Sequence, residues 1–259
     1  MDQFFNWLAK PMEYEEIDAW YKANNIIPEL SDLFRDFCFS LLNLVQDTYL
    51  GDISNNNKET NIGLTLEDKV SHFDWCWKKI IEDFKGLDLC VFSSGTYDPK
   101  LEQGINIKQN KFVMETNFFG VLYCINAVEN YFKNKKNGHI SIVSSVAAYR
   151  GLPNSSGYGP SKAALTNLTE SLYFDFKKHN VRISLVSPGF IKTPLTDKNE
   201  FPMPFIKSPE FAAEKMFNGL TKSKAFEIHF PKALTILLKI FRVLPYKIYL
   251  FLIDKGVKR

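Results

Sequence analysis

The sequence predicts an α/β fold built on a parallel sheet with flanking helices over residues 87–259, preceded by a mostly helical segment over residues 1–86. Three observations lead there. From residue 87 on, short apolar runs ending in small residues alternate with stretches of helical spacing, the pattern of βαβ units. Only Gly51, Gly63 and Gly86 of the 13 glycines fall in the first part. The charge also divides: residues 1–86 hold 8 Lys/Arg and 16 Asp/Glu, whereas residues 87–259 hold 24 and 13. All four tryptophans (Trp7, Trp20, Trp75, Trp77) lie in the first part.

Residues 13–24 and 28–47 carry apolar positions three or four apart (Leu30, Leu33, Phe34, Phe37, Leu41) and read as helices, with Pro28 suited to a first turn. GDISNNNKETN is polar and loop-like. TLEDKVSHFDWCWKKIIEDF reads as one amphipathic helix, with Thr65 and Asp68 resembling a capping box and Gly86 ending it. LDLCVFSSG (87–95) then has the texture of a buried parallel strand. A helical pattern covers 109–134. Strands follow at 139–145, 181–189 and 225–230, with a helix at 158–179 between the first two. The last stretch, 232–254, is apolar and basic together. Lys239, Arg242 and Lys247 interrupt it and Pro245 breaks it, so it reads as amphipathic helices and not as a membrane span.

Composition narrows the function classes. A net charge of +3 gives no case for nucleic acid. Cys38, Cys76, Cys90 and Cys124 form no CxxC pair, so neither a zinc site nor a disulfide framework is expected, and a reducing, cytoplasmic setting is. The acidic start lacks a basic region followed by an apolar run, so no signal peptide is expected.

A tyrosine and a lysine four apart share a helix face, and an ammonium beside a phenol favours the phenolate. Three such pairs occur: Tyr131/Lys135, Tyr158/Lys162 and Tyr173/Lys177. Only Tyr158 opens its helix, which puts it at the carboxyl edge of a sheet, where open α/β folds bind ligands. Ser145, thirteen residues earlier, ends an apolar strand and reaches the same edge. The strand after the helix ends in Pro188–Gly189.

In this order, NFFG (117–120), IVSSVAA (142–148), YGPSK (158–162) and SPGFIKT (187–193) resemble the signature set of the short-chain dehydrogenase/reductase family, over residues 87–259. The resemblance implies a Rossmann-like sheet and an NAD- or NADP-dependent oxidoreductase acting on a carbonyl or alcohol compound. It implies Tyr158 as general acid or base, and Lys162 as the group that lowers the Tyr158 pKa and holds the nicotinamide ribose. It implies Ser145 as the residue that hydrogen-bonds the substrate oxygen, and Asn117 as the holder of a water linking Lys162 to solvent. Pro188, Gly189 and Thr193 would bracket the nicotinamide end.

The family's GxxxGxG turn, which cradles the pyrophosphate, has no counterpart in residues 1–86. LGDIS (50–54) faintly resembles its third-strand segment, but a polar insertion separates Asp52 from Gly95. The NNAG turn is altered to Phe92–Ser93–Ser94–Gly95, keeping only the glycine as a cofactor-binding candidate. Three readings of residues 1–86 stand open: a divergent Rossmann half, a helical module in place of the first βαβ units, or a join of unrelated coding segments. Two functions follow. One is the oxidoreductase, with a small and apolar substrate suggested by the loop FIKTPLTDKNEFPMPF. The other is a silent scaffold, or a truncated or fused enzyme, that cannot bind the dinucleotide. Peripheral membrane contact through 232–254 and a homo-oligomer are compatible with either, and no metal site is expected.

Overall fold

A parallel strand cannot return to its neighbour through a tight turn, so a crossover joins each β-strand here to the next. The computed structural model describes residues 85–257 together with 73–75, 77–78 and 80–82. The helices expected over 13–24 and 28–47, the loop after Gly51 and the Thr65 cap lie outside the described residues. Residues 73–75, 77–78 and 80–82 are helical, as expected. The chain divides into two units, and the sheet belongs to the larger, which includes Asp88–Ile125 and Glu129–Arg259.

Four strands, β1 (Leu89–Phe92), β2 (His139–Val143), β3 (Arg182–Pro188) and β4 (Glu227–Phe230), pair in parallel and in chain order. Leu89, His139 and Arg182 are in register, as are Phe92, Ile142, Leu185 and Glu227. Helix α1 (Ile107–Met114), a π-helical turn (Glu115–Phe119) and α2 (Gly120–Lys135) connect β1 to β2. Helix α3 (Tyr158–Lys177) connects β2 to β3, and α4 (Pro209–Thr221) connects β3 to β4. Two helices follow, α5 (Lys232–Val243) and α6 (Tyr246–Val257), separated at Pro245 as the sequence predicts.

The sequence pattern runs 109–134 as one helix. The structure inserts the π-helical turn into it, with the Gly120 amide reaching back to Glu115 O. Helix α4 was not anticipated. Its start is nonetheless marked: Ser208 accepts a hydrogen bond from Phe211 N and Pro209 stands in the first turn. Its other end is closed from a distance, because the Arg182 guanidinium donates to Leu220 O (3.0 Å) and Gly219 O (3.3 Å).

The core lies against the sheet. Val186, Ile228 and Phe230 pack with Ala212, Phe211, Met216 and Leu220 of α4. Ile140, Ile142, Phe132, Leu165 and Phe176 are fully buried. Each such side chain contributes about 1.5–3 kcal/mol through removal from water. One row of the sheet is polar instead. His139 Nε2 meets Ser184 Oγ at 2.7 Å, and Ser184 Oγ donates to Ser141 Oγ at 3.1 Å. Burial first, and then the Arg182 charge, push the His139 imidazole down to about 4.

The fold therefore holds His139 neutral where the unfolded chain protonates it. Between about pH 6.5 and 4 the unfolded state binds the extra proton, so this contribution to stability is lost as pH falls through that window. Urea unfolding at pH 7.0 and 4.5 is expected to show a smaller loss for His139→Gln than for the parent. Equal losses would remove His139 from the account.

Candidate active site

The carboxyl edge of the sheet gathers the ends of all four strands. Beyond β1 come Ser93, Ser94 and Gly95. Beyond β2 come Ser144 and Ser145. Beyond β3 comes Gly189. Helix α3 begins with Tyr158 and carries Lys162 one turn later. The predicted trio meets here: the Ser145 side chain lies beside the Tyr158 hydroxyl and lowers its pKa. Ser145 also caps the 3₁₀ turn Val146–Ala148, accepting from Ala147 N at 3.1 Å. Its neighbour Ser144 points to the helix, donating to Lys162 O (2.8 Å) and meeting Thr166 Oγ1 (2.9 Å).

The three YxxxK pairs look alike in one respect. Nζ lies 5.8 Å from the Tyr158 ring centroid, 5.6 Å from that of Tyr131 and 5.5 Å from that of Tyr173. Burial separates them. Lys162 is 3% exposed, whereas Lys135 and Lys177 lie at the surface. Lys162 Nζ donates to Val143 O (3.0 Å) and Ser94 O (3.3 Å), and burial lowers its pKa to about 8.

The phenol of Tyr158 stands above its ordinary value in this geometry, not below it. Burial raises it most, Ser145 beside the hydroxyl lowers it, and the Glu102 charge raises it again. Although part of the Tyr158 side chain remains exposed, the hydroxyl end is enclosed. The ammonium of Lys162 faces two main-chain carbonyls.

Asn117 lies in the π-helical turn and is fully buried. Its amide accepts from Thr96 N (2.7 Å) and donates to Thr96 O (3.1 Å) and Ser161 Oγ (3.0 Å). It thereby ties the β1 loop to α3. Gly95 is explained by its neighbours: a Cβ there would lie 3.2 Å from Lys162 Nζ and 3.9 Å from Asn117 Oδ1. Pro188 pairs with Phe230 at the end of β3. The Gly189 amide donates to Phe230 O at 2.7 Å, and a Cβ at 189 would come within 2.7 Å of Leu234 Cδ2, so glycine lets α5 approach. Thr193 closes a local turn, its amide donating to Thr196 Oγ1 at 2.9 Å. Pro188 and Gly189 border the same edge.

Two residues here were missed by sequence reasoning. Tyr97 stacks obliquely on Tyr158, with centroids 4.9 Å apart, and donates to Asn154 O at 2.9 Å. Glu102, 1% exposed, accepts from the amides of Gly157 (2.9 Å) and Tyr158 (2.8 Å). Neither belongs to a periodic pattern. Their partners are 55 or more residues away, so no local spacing could reveal them.

Comparison with known proteins agrees with this arrangement. The short chain dehydrogenase family pattern matches residues 53–202, so the chain belongs to that family. The match begins upstream of Leu87 and takes in the helical segment around Trp75 and Trp77. An uncharacterized oxidoreductase of Myxococcus xanthus is 34% identical over 63% of this chain and 64% of its own length. The 3-oxoacyl-[acyl-carrier-protein] reductase FabG of Thermotoga maritima is 32% identical over 47% of this chain and 49% of its own. The chain thus spans between about half and under two-thirds of these relatives' length. A short chain dehydrogenase from Burkholderia cenocepacia, solved in complex with NADP, shares the fold. It has a TM-score of 0.60 and 22% identity, over 71% of this chain and 74% of that one.

Because burial lowers it, the Lys162 amine is expected to titrate near pH 8. The lysine ¹³Cε spectrum should contain one resonance with that midpoint, absent from Lys162→Met. A spectrum in which every lysine titrates near its ordinary value would contradict the buried placement.

Proposed function

We propose that this chain is an NAD(P)-dependent oxidoreductase that interconverts a carbonyl and an alcohol, with Tyr158 as the general acid or base. The observation that carries the reading is Ser145 beside the Tyr158 hydroxyl with Lys162 buried one turn further along α3. Ser145 donates to the substrate oxygen as negative charge develops on it. Tyr158 passes its proton to the same oxygen. A phenol held above its ordinary value enters protonated at neutral pH, which favours the reductive direction. A nicotinamide cofactor, when bound, supplies the hydride. Lys162 and Tyr158 would hold its ribose, and Gly95, Asn117, Pro188, Gly189 and Thr193 would border it. The substrate is apolar on this reading. The loop after β3 brings the Phe190 and Phe201 rings to 6.1 Å and leaves Phe205 and Ile206 exposed.

Calorimetric titration with NADPH and NADH tests this. Binding of one of them below millimolar concentration is expected, and Tyr158→Phe should keep that binding while turnover falls by about 10²–10⁴. If neither dinucleotide binds at millimolar concentration, the reading fails, and a scaffold that retains the reacting set takes its place.

A second reading concerns α5 and α6. On α5 four large apolar residues are turned to solvent: Ile236, Leu237, Ile240 and Val243, the last 79% exposed. Ile248, Phe251 and Leu252 of α6 are also exposed. Between residues 232 and 257 there are five Lys/Arg and one Asp. Among the described residues no helix is long and apolar enough to cross a membrane. An apolar face bordered by cations suits an anionic lipid surface, with the helices lying in its plane. The protein should float with phosphatidylglycerol vesicles more than with phosphatidylcholine vesicles, and Ile240→Glu/Val243→Glu should abolish flotation. Failure to float with either vesicle would reject the lipid reading. A parent dimer that this double variant converts to monomer would give the face to a second copy instead.

A further inference from the structure

The first turn of α3 carries the reacting tyrosine, and its amides can be accounted for one by one. Gly157, the residue before the helix, offers no side-chain cap. The Tyr158 amide donates to Glu102 Oε2, as does that of Gly157. The Gly159 amide donates to Ser155 Oγ at 2.9 Å. Pro160 has no N–H. The Ser161 amide makes the first bond within the helix, to Gly157 O at 3.0 Å. The start of this helix is thus completed by a carboxylate brought from the loop between β1 and α1.

That loop holds the segment before α3 at other points as well. Ser156 Oγ donates to Glu102 O at 3.2 Å. Asn110 Nδ2 donates to Ser156 O at 3.4 Å. Tyr97 donates to Asn154 O and leans its ring on that of Tyr158. The other Glu102 oxygen, Oε1, is buried with no hydrogen-bond partner among the described residues. A buried carboxylate with one oxygen unpaired is a costly way merely to end a helix, since a neutral acceptor would serve the two amides. The charge itself acts on what stands nearby.

We propose that Glu102 is a positioning residue for Tyr158: its carboxylate fixes the first turn of α3 through two main-chain amides and sets a negative charge beside the reacting side chain. The proposal rests on the reading of Tyr158 as the reacting acid. The groups facing Tyr158 are Lys162 from α3, Ser145 from the end of β2, and Tyr97 and Glu102 from the β1–α1 loop, with Asp98 acting on Tyr97. Among these, Glu102 is the fixed negative charge that bonds to the Tyr158 main chain. Its field keeps the phenol protonated, in concert with burial.

The test uses the full chain with ¹³Cζ-labelled tyrosine, the Tyr158 resonance being assigned from Tyr158→Phe. Glu102→Gln keeps an acceptor for both amides and removes the charge. Its Tyr158 resonance should titrate at lower pH than in the parent, with thermal stability nearly unchanged. Glu102→Ala removes both acceptor and charge, and kcat should fall about tenfold or more as the hydroxyl loses its place, with KM changing less. Glu102→Gln should restore most of that kcat at neutral pH while shifting the pH profile. An unchanged Tyr158 titration in Glu102→Gln overturns the proposal, whatever the activity. The resonance needs neither cofactor nor turnover, so a parent without activity counts against the oxidoreductase reading and leaves this measurement decisive. If Glu102→Ala fails to fold, the glutamine variant still decides.

Discussion

Burying an ammonium is costly unless its donors find acceptors, and that requirement shapes the site. Lys162 is almost wholly enclosed, and the acceptors it finds are the carbonyls of Ser94 and Val143. These close the neighbouring strands β1 and β2. One cation therefore registers two strand ends against one helix. The tyrosine four residues earlier is placed by the same contact, and Gly95 must lack a side chain because the ammonium occupies the space. Asn117 repeats the logic at the next position along, tying Thr96 to Ser161.

Charged groups complete backbone ends elsewhere in the molecule too. Arg182 closes α4, Glu102 opens α3, and Arg150 receives the last carbonyls of α5, donating to Phe241 O (2.8 Å) and Leu244 O (2.7 Å). In each case the partner comes from a different element, so the cap also acts as a tertiary contact. Such bonds involve an ion and a main-chain dipole and are stronger than neutral ones. The helices thus derive part of their orientation from polar contacts at their ends, in addition to the apolar packing along their sides.

Much of this was legible in the sequence because the signals were local. Apolar runs ending in small residues gave β1 to β4 within a few residues, and Pro245 divided α5 from α6. Position within a helix separated Tyr158 from Tyr131 and Tyr173, and burial of Lys162 now gives the physical reason. Helix α4 escaped because the Pro-containing stretch before it reads as loop, although Ser208–Pro209 marks its start. The π-helical turn at Asn117 escaped because an extra residue leaves hydrophobic spacing almost intact over so short a stretch. Glu102 escaped for a different reason. A lone glutamate between loops carries no period, and its meaning comes only from amides 55 residues away. Gly189 was read as a neighbour of the cofactor, and in the structure a side chain there would meet Leu234 of α5.

Arg150 has a consequence for how this chain tolerates change. Its guanidinium lies 4.4 Å from the Tyr246 ring centroid and 4.1 Å from that of Tyr249, while its Nη1 donates to the carbonyls that end α5. Tyr249 in turn donates to Gly151 O at 2.6 Å. A flat, forked cation can stack and donate at once, whereas lysine supplies a single point of charge on a flexible stem. Position 150 is therefore closed to the exchange usually regarded as mildest. The two tyrosines are constrained with it, so these three sites are free to drift only together.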